Sequence, residues 1–276
     1  MFGGSWGSTL GLDYTQTYPT RCLGLILRGI FLNTKAEHDA IYARKSFAGN
    51  ERRLQEFDTF FELAQKEASR RNEPPLDPND SLRFIQLYEA MILQGNREAI
   101  WRFWVFENNL MEEEVDNLLD PFVVPDKANP QYGESMSIAF FEARLFLKGT
   151  FEEPIDLLLN IAAMKKVPTW VCQGTGDEVC PEIFAQQLCG RLAEEGVPHT
   201  THFVDSGHKA SSGGMTEALV LSVQEYYDQY GMAFLKNKEQ EKGAEAAERK
   251  EEAGEDDPFD NLDALRMDMG RDGTGK

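Results

Sequence analysis

The chain has 276 residues, 41% of them hydrophobic, which is enough to bury a sizeable core in one large domain or two smaller ones. It carries 47 acidic against 28 basic residues and a formal net charge of -19, which argues against a phosphate backbone as partner, because nucleic-acid binding relies on Lys and Arg releasing counterions. No run is long and apolar enough to span a membrane and no charged-then-apolar signal opens the chain, so a cytoplasmic setting is expected. The four cysteines, Cys22, Cys172, Cys180 and Cys189, sit in or beside apolar segments without metal-type pairing; they read as small buried hydrophobes of a reducing compartment, and neither metal nor cofactor is expected.

Gly3-Gly4-Ser5-Trp6-Gly7 is a Gly-x-Ser-x-Gly pattern, in which a serine sits on a cramped strand-to-helix turn and flanking glycines avoid Cβ collisions. Residues 8–17 read as a helix closed by Tyr18-Pro19, and Cys22 to Leu27 as a strand buried on both faces. The strand that should precede the serine is represented only by Met1 and Phe2. From about 36 to 163 the pattern is helical: Glu51 to Arg71, Asp80-Ser81 through Leu93, Arg97 to Leu110 and Glu134 to Leu147, with prolines marking the connections. Strand character returns at Val167 to Cys172 and His199 to Val204, separated by a helix from Pro181 to about Glu195, and a last helix spans roughly Thr216 to Tyr230. Residues 236–276 hold 13 acidic and 8 basic residues with few apolar ones, the composition of a disordered tail. Phe259, Leu262 and Leu265 recur there at a spacing that could form a short docking helix, although stray apolar residues are the plainer reading. The expected division is therefore 1–34 core, 35–163 helical cap, 164–234 core and 235–276 tail.

A serine nucleophile needs a base and an acid to orient it, and in a sheet of this class they follow in the order Ser, Asp, His on loops after strands. Asp177 lies in the loop after the strand ending at Cys172, with Glu178 as a rival, and His208 in the loop after the strand ending at Val204. His199 and His202 lie within a strand and His38 within the helical insertion, so none is a better base. Ile100, Phe103, Trp104 and Glu107 stand at i, i+3, i+4, i+7, and Ile138, Glu142 and Leu145 at i, i+4, i+7; in each set a carboxylate interrupts an apolar stripe and needs a cationic partner if buried. A substrate ammonium would serve, and so would Arg102 or Arg144.

Gly3 to Leu10, the segment Leu27 to Phe31, the Asp177 loop with Cys180-Pro181 and the Ser206-Gly207-His208 loop together resemble the proline iminopeptidases, serine peptidases of the α/β-hydrolase fold with a helical cap. The resemblance runs from Gly3 to about Tyr230. It implies Ser5 as nucleophile, His208 as base, Asp177 as orienting acid, the Trp6 amide as an oxyanion donor, and short peptides with an N-terminal proline as substrates. It further implies that Glu107, within Phe103-Trp-Val-Phe106-Glu107, and Glu142, opening Glu142-Ala-Arg-Leu-Phe146, hold the substrate amine, with Phe103 and Phe106 packing round the proline ring. The family's His-Gly-Gly-Pro-Gly segment, source of a second oxyanion donor, does not occur here. An incomplete α/β-hydrolase sheet of about three strands with an unpaired apolar edge is expected. An esterase or amidase with the same triad, or a non-catalytic binding remnant, are the alternative readings.

Overall fold

The structure is a computed structural model that describes residues 1–112, 114–148 and 156–231. The chain divides into two compact units, Met1–Val223 and Gln224–Lys276, and everything that follows concerns the first. The expected tail and its Phe259, Leu262 and Leu265 lie outside the described residues.

Among the described residues four strands, not three, form the sheet: β1 (Phe2–Ser5), β2 (Leu25–Ile30), β3 (Thr169–Gly174) and β4 (His199–Val204), all parallel and side by side in chain order. The fourth is the glycine-rich β1. It pairs through its backbone, with Phe2 opposite Ile26 and Gly4 opposite Arg28, and the pairing is extended by Ile26 N–H donating to the Met1 carbonyl at 3.0 Å. A glycine strand has little side-chain packing to favour it, and main-chain pairing supplies what its composition lacks. The second strand is displaced by three residues from its apolar run, covering 25–30 and leaving Leu23 exposed.

Parallel strands need crossovers, and helices provide them on both faces. On one face α1 (Trp6–Thr17) and the helix after β3 bury Leu12, Phe184, Leu188 and Leu192 against Leu25, Leu27 and Val171. On the other, the helix that follows β4 seats Met215 and Ala218 on Cys172. β2 and β3 are buried along nearly their whole length, whereas β4, at the edge, alternates between half-buried and exposed.

Between β2 and β3 lie α2 (Lys35–Tyr42), α3 (Glu51–Arg70), α4 (Ser81–Leu93), α5 (Arg97–Leu110) and α6 (Pro130–Lys148). Asn50, Asp80 and Asn96 cap three of them by accepting from Arg53 N, Arg83 N and Ala99 N. Thr34 and Glu37 form a reciprocal capping box that starts α2 directly after the sheet. The helices close on an aromatic core in which Phe60 stacks between Tyr88, 4.3 Å between centroids, and Phe106, 4.5 Å. Each ring removed from water there contributes on the order of 2 kcal/mol. Two ion pairs tie these helices to the sheet's loops: Arg53 to Glu178 and Lys209 to Glu112.

His38 on α2 is buried between Phe31 and Phe146, with Nε2 at 2.8 Å from the Asn33 side-chain oxygen and Nδ1 without a partner among the described residues. Burial lowers its pKa from 6.5 to about 4, so the folded state holds it neutral. A depressed folded-state pKa gives stability that is present above 6.5 and lost as pH falls toward 4. The stability advantage of the native chain over His38→Gln should therefore shrink by up to about 3 kcal/mol between pH 6.5 and pH 4 in urea titrations. A pH-independent difference would mean a solvated histidine.

Candidate active site

The chemistry-bearing groups gather where β1, β3 and β4 end. Ser5 closes β1 and precedes α1 with φ 53° and ψ -125°, a left-handed conformation that costs a non-glycine residue about 1–3 kcal/mol. Its side chain does not cap α1; the hydroxyl hydrogen-bonds the Cys180 thiol instead. The turn is so tight that a Cβ on Gly3 would fall 2.2 Å from the Gly7 carbonyl oxygen. Gly7 itself has open space where its own Cβ would lie, so only the first glycine is demanded by collision, contrary to the expectation that both are. Ser8 locks the turn by donating to the Ser5 carbonyl at 2.7 Å and accepting from Phe31 N–H at 2.9 Å.

His208, in the loop after β4, sets Nδ1 2.9 and 3.0 Å from the two carboxylate oxygens of Asp177, in the loop after β3. Both residues are buried. Asp177 is itself oriented: Oδ1 accepts from Val179 N and Cys180 N at 3.0 and 2.8 Å, and the Gln173 amide reaches Oδ2 at 3.4 Å. Gln173 also accepts from Ile30 N–H and donates to the Cys180 carbonyl, so one buried amide braces the aspartate loop against β2. Glu178, the rival acid, turns away to Arg53. Arg28 of β2 donates to the His208 carbonyl.

Ser5, Trp6 and His208 line one cavity of about 60 Å³ with Glu107, Glu142, Phe31, Phe146 and Cys180. Trp6 packs on Phe31 and Phe146, each 5.9 Å between centroids. The Cys180 thiol borders the Ser5 hydroxyl and forms a close cluster with Asp177 and His208. Burial, reinforced by the charges of Asp177 and Glu37, raises its pKa well above the ordinary thiol value, so it stays protonated and is no rival nucleophile.

The roof is a pair of carboxyls. Glu107 on α5 and Glu142 on α6 hydrogen-bond each other, and Tyr42 donates its hydroxyl to Glu107 Oε1. Burial first, then the charge of Glu142, raises the Glu107 pKa far above the carboxylate range, and burial raises that of Glu142 as well. Two carboxyls this close and this dry resist ionising together, and each disfavours the loss of the other's proton. Glu142 Oε2 has no hydrogen-bond partner among the described residues. Arg102 and Arg144 pair elsewhere, with Glu98 and Glu89.

Phe103 and Phe106 are not walls of this cavity. Both are buried in the aromatic core between the helices, because α5 is enclosed nearly all round and sharing a stripe with Glu107 does not select a face. Phe31 and Phe146 take the wall positions. Phe146 stands one helical turn beyond Glu142, a spacing visible in the sequence; Phe31, Tyr42 and Cys180 reach the site through long-range packing that no local pattern encodes.

An α/β-hydrolase fold family model matches residues 1–212, and the chain belongs to that family. Within it, the chain is similar to several proline iminopeptidases. It is 29% identical over 227 residues to a probable proline iminopeptidase of Leptolyngbya boryana, 80% of this chain and 63% of that one. It is 30% identical to the proline iminopeptidase of Neisseria gonorrhoeae, over 82% of this chain and 65% of the relative, and 28% identical to that of Arabidopsis thaliana, over 80% and 54%. The chain thus spans less than two thirds of the length of these relatives.

Gly29 tests how finely the His208–Asp177 pair is seated. Its φ is +54°, and a Cβ there would lie 3.3 Å from His208 Cε1 and 3.4 Å from Asp177 Oδ2. Gly29→Ala should lower the unfolding free energy by about 1–2 kcal/mol from backbone strain alone. It should also shift or erase the low-field Nδ1 proton resonance of His208, while an unchanged resonance would show a roomier seat.

Proposed function

We propose that this chain is the serine-hydrolase portion of an aminopeptidase that releases an N-terminal proline from short peptides. Ser5 Oγ attacks the scissile carbonyl, His208 Nε2 takes its proton and returns it to the leaving amine, and Asp177 holds the imidazole by accepting from Nδ1–H. The Trp6 backbone N–H, at the start of α1 where amides lack helical partners, donates to the developing oxyanion.

The observation that carries the substrate assignment is the buried carboxyl pair with one oxygen unpartnered. A pair that resists ionising together is suited to one substrate ammonium, and the Glu142 Oε2 lone pairs supply the missing acceptor. Phe31, Trp6 and Phe146 offer a small apolar wall suited to a pyrrolidine ring, and the similarity to proline iminopeptidases favours that ring over other side chains.

The two glutamates carry different weights. Burial and the neighbouring Glu142 favour a neutral Glu107, so Glu107→Gln, which keeps a neutral hydrogen-bonding group there, should change kcat/KM for proline arylamide by less than about threefold. Glu142→Gln removes the charge that meets the ammonium and should cost about 2 kcal/mol, roughly 30-fold, while leaving hydrolysis of a small neutral acyl ester unchanged. Equal losses on the amine substrate and the ester would reduce Glu142 to a structural residue and favour an esterase. Protection of Ser5 from a fluorophosphonate by prolinamide, but not by N-acetylprolinamide, would support amine recognition in the same cavity.

A further inference from the structure

A second cavity opens between the end of α4, the start of α5 and α6; it shares no lining residue with the one beside Ser5, and its volume of about 580 Å³ is inside the range of small-molecule sites. Two columns of α6 residues form one wall, Tyr132-Met136-Phe140 and Gly133-Ser137-Phe141, each spaced i, i+4, i+8, which makes a trough about 12 Å long. The trough is apolar and open to water. Ile100 and Tyr132 are buried at its base, whereas Leu93 and Phe141 are more than half exposed and Met136 and Phe140 more than a third. An apolar cluster of this size on one exposed face marks a binding surface. Gly133 leaves part of the trough bare, with no atom within 4 Å of where its Cβ would lie.

Positive charge gathers at one end. Lys127, exposed in the turn that leads into α6, lines the trough, and Arg97 backs the same end: its Nη2 donates to the Pro125 carbonyl at 2.6 Å and its guanidinium carbon lies 5.2 Å from the centroid of the Tyr132 ring. Neither cation forms an ion pair among the described residues. On a chain of net charge -19, two such cations at the head of an apolar trough ask for an anionic group with an apolar body. The wall gives an extended peptide little to pair its backbone with, since Tyr132 and Ser137 supply its only uncharged side-chain polar groups, whereas an alkyl chain asks for none. We propose that this trough binds a single-chain carboxylic acid of the medium-chain fatty-acid class, with its carboxylate on Lys127 and its alkyl chain against Leu93, Met136, Phe140 and Phe141. The site does not depend on the reaction assigned to Ser5.

Isothermal titration calorimetry of the full chain with decanoate tests this, with hexanoate and the decyltrimethylammonium cation as controls. Saturable one-site binding of decanoate is expected, weakened about tenfold or more for hexanoate, because each CH₂ withdrawn from an apolar wall costs up to about fourfold. Decyltrimethylammonium should bind more weakly than decanoate even though the overall charge favours the cation, and equal or tighter binding of the cation overturns the proposal. Gly133→Phe sets a ring in the trough where its Cβ meets no atom, at a helical position where glycine is a poor former, and should abolish decanoate binding in a folded chain. Lys127→Glu, at an exposed position, should weaken decanoate about tenfold and spare the cation. Far-UV circular dichroism of both variants verifies that they fold. No saturable heat at about 1 mM decanoate, or binding that Gly133→Phe leaves intact, overturns the proposal. A dimer in sedimentation that Gly133→Phe dissociates overturns it too, because a second copy would then cover this face.

Discussion

Four parallel strands that end side by side are the constraint on which this structure depends. Parallel pairing in chain order, with Ser5 opposite Ile30 and Gly174 opposite Val204, brings the loops after β1, β3 and β4 to one rim of the sheet. His208, 203 positions on from Ser5 in sequence, thereby lines one cavity with it, and Asp177, 172 positions on, holds that histidine from behind. Contact is then made close by glycine. Gly29 lets the backbone of β2 touch the His208–Asp177 pair, and at Gly174 a Cβ would fall 2.4 Å from the Ser206 carbonyl, so the histidine loop could not approach β3. Sheet register sets which loops meet, and missing side chains set how closely.

The helices above the sheet convert that rim into a closed pocket. Arg53 does so with unusual economy: it binds Glu178 in the aspartate loop and also donates to the carbonyls of Asn109 and Leu110 at the end of α5. The helix bearing Glu107 is thus fastened to the loop bearing Asp177 by one guanidinium. A dry pocket is what gives the carboxyl pair its character. In water both groups would ionise and attract a cation weakly; under the aromatic layer they resist ionising together and leave one oxygen without a hydrogen-bond partner among the described residues.

Much of this was legible in the sequence where the signal is local. The strand 199–204 and helix 97–110 begin and end where apolar pattern and capping residues put them, and the loops after two strands are read directly as the places of Asp177 and His208. β1 was not legible, since Phe-Gly-Gly-Ser has no strand signature and pairs by backbone alone. The wall residues were misread for a different reason. Periodicity places Phe103 with Glu107 on one stripe, but a helix buried on almost every side has no single inner face, and only the arrangement of α2, α3 and α6 around it decides which residues see the cavity. The start of α2 carried a readable signal, Thr34-x-x-Glu37, that the apolar pattern overshadows.

The account centres on Ser5 as a serine activated by His208, and the most direct measurement is mass-spectrometric mapping of a fluorophosphonate adduct on the intact chain. The account predicts one adduct, on the peptide containing Ser5, whose rate of formation falls about 100-fold or more in His208→Ala, the contribution of a positioned general base. Adduct formation at another serine, or at Ser5 with the same rate in His208→Ala, would contradict it.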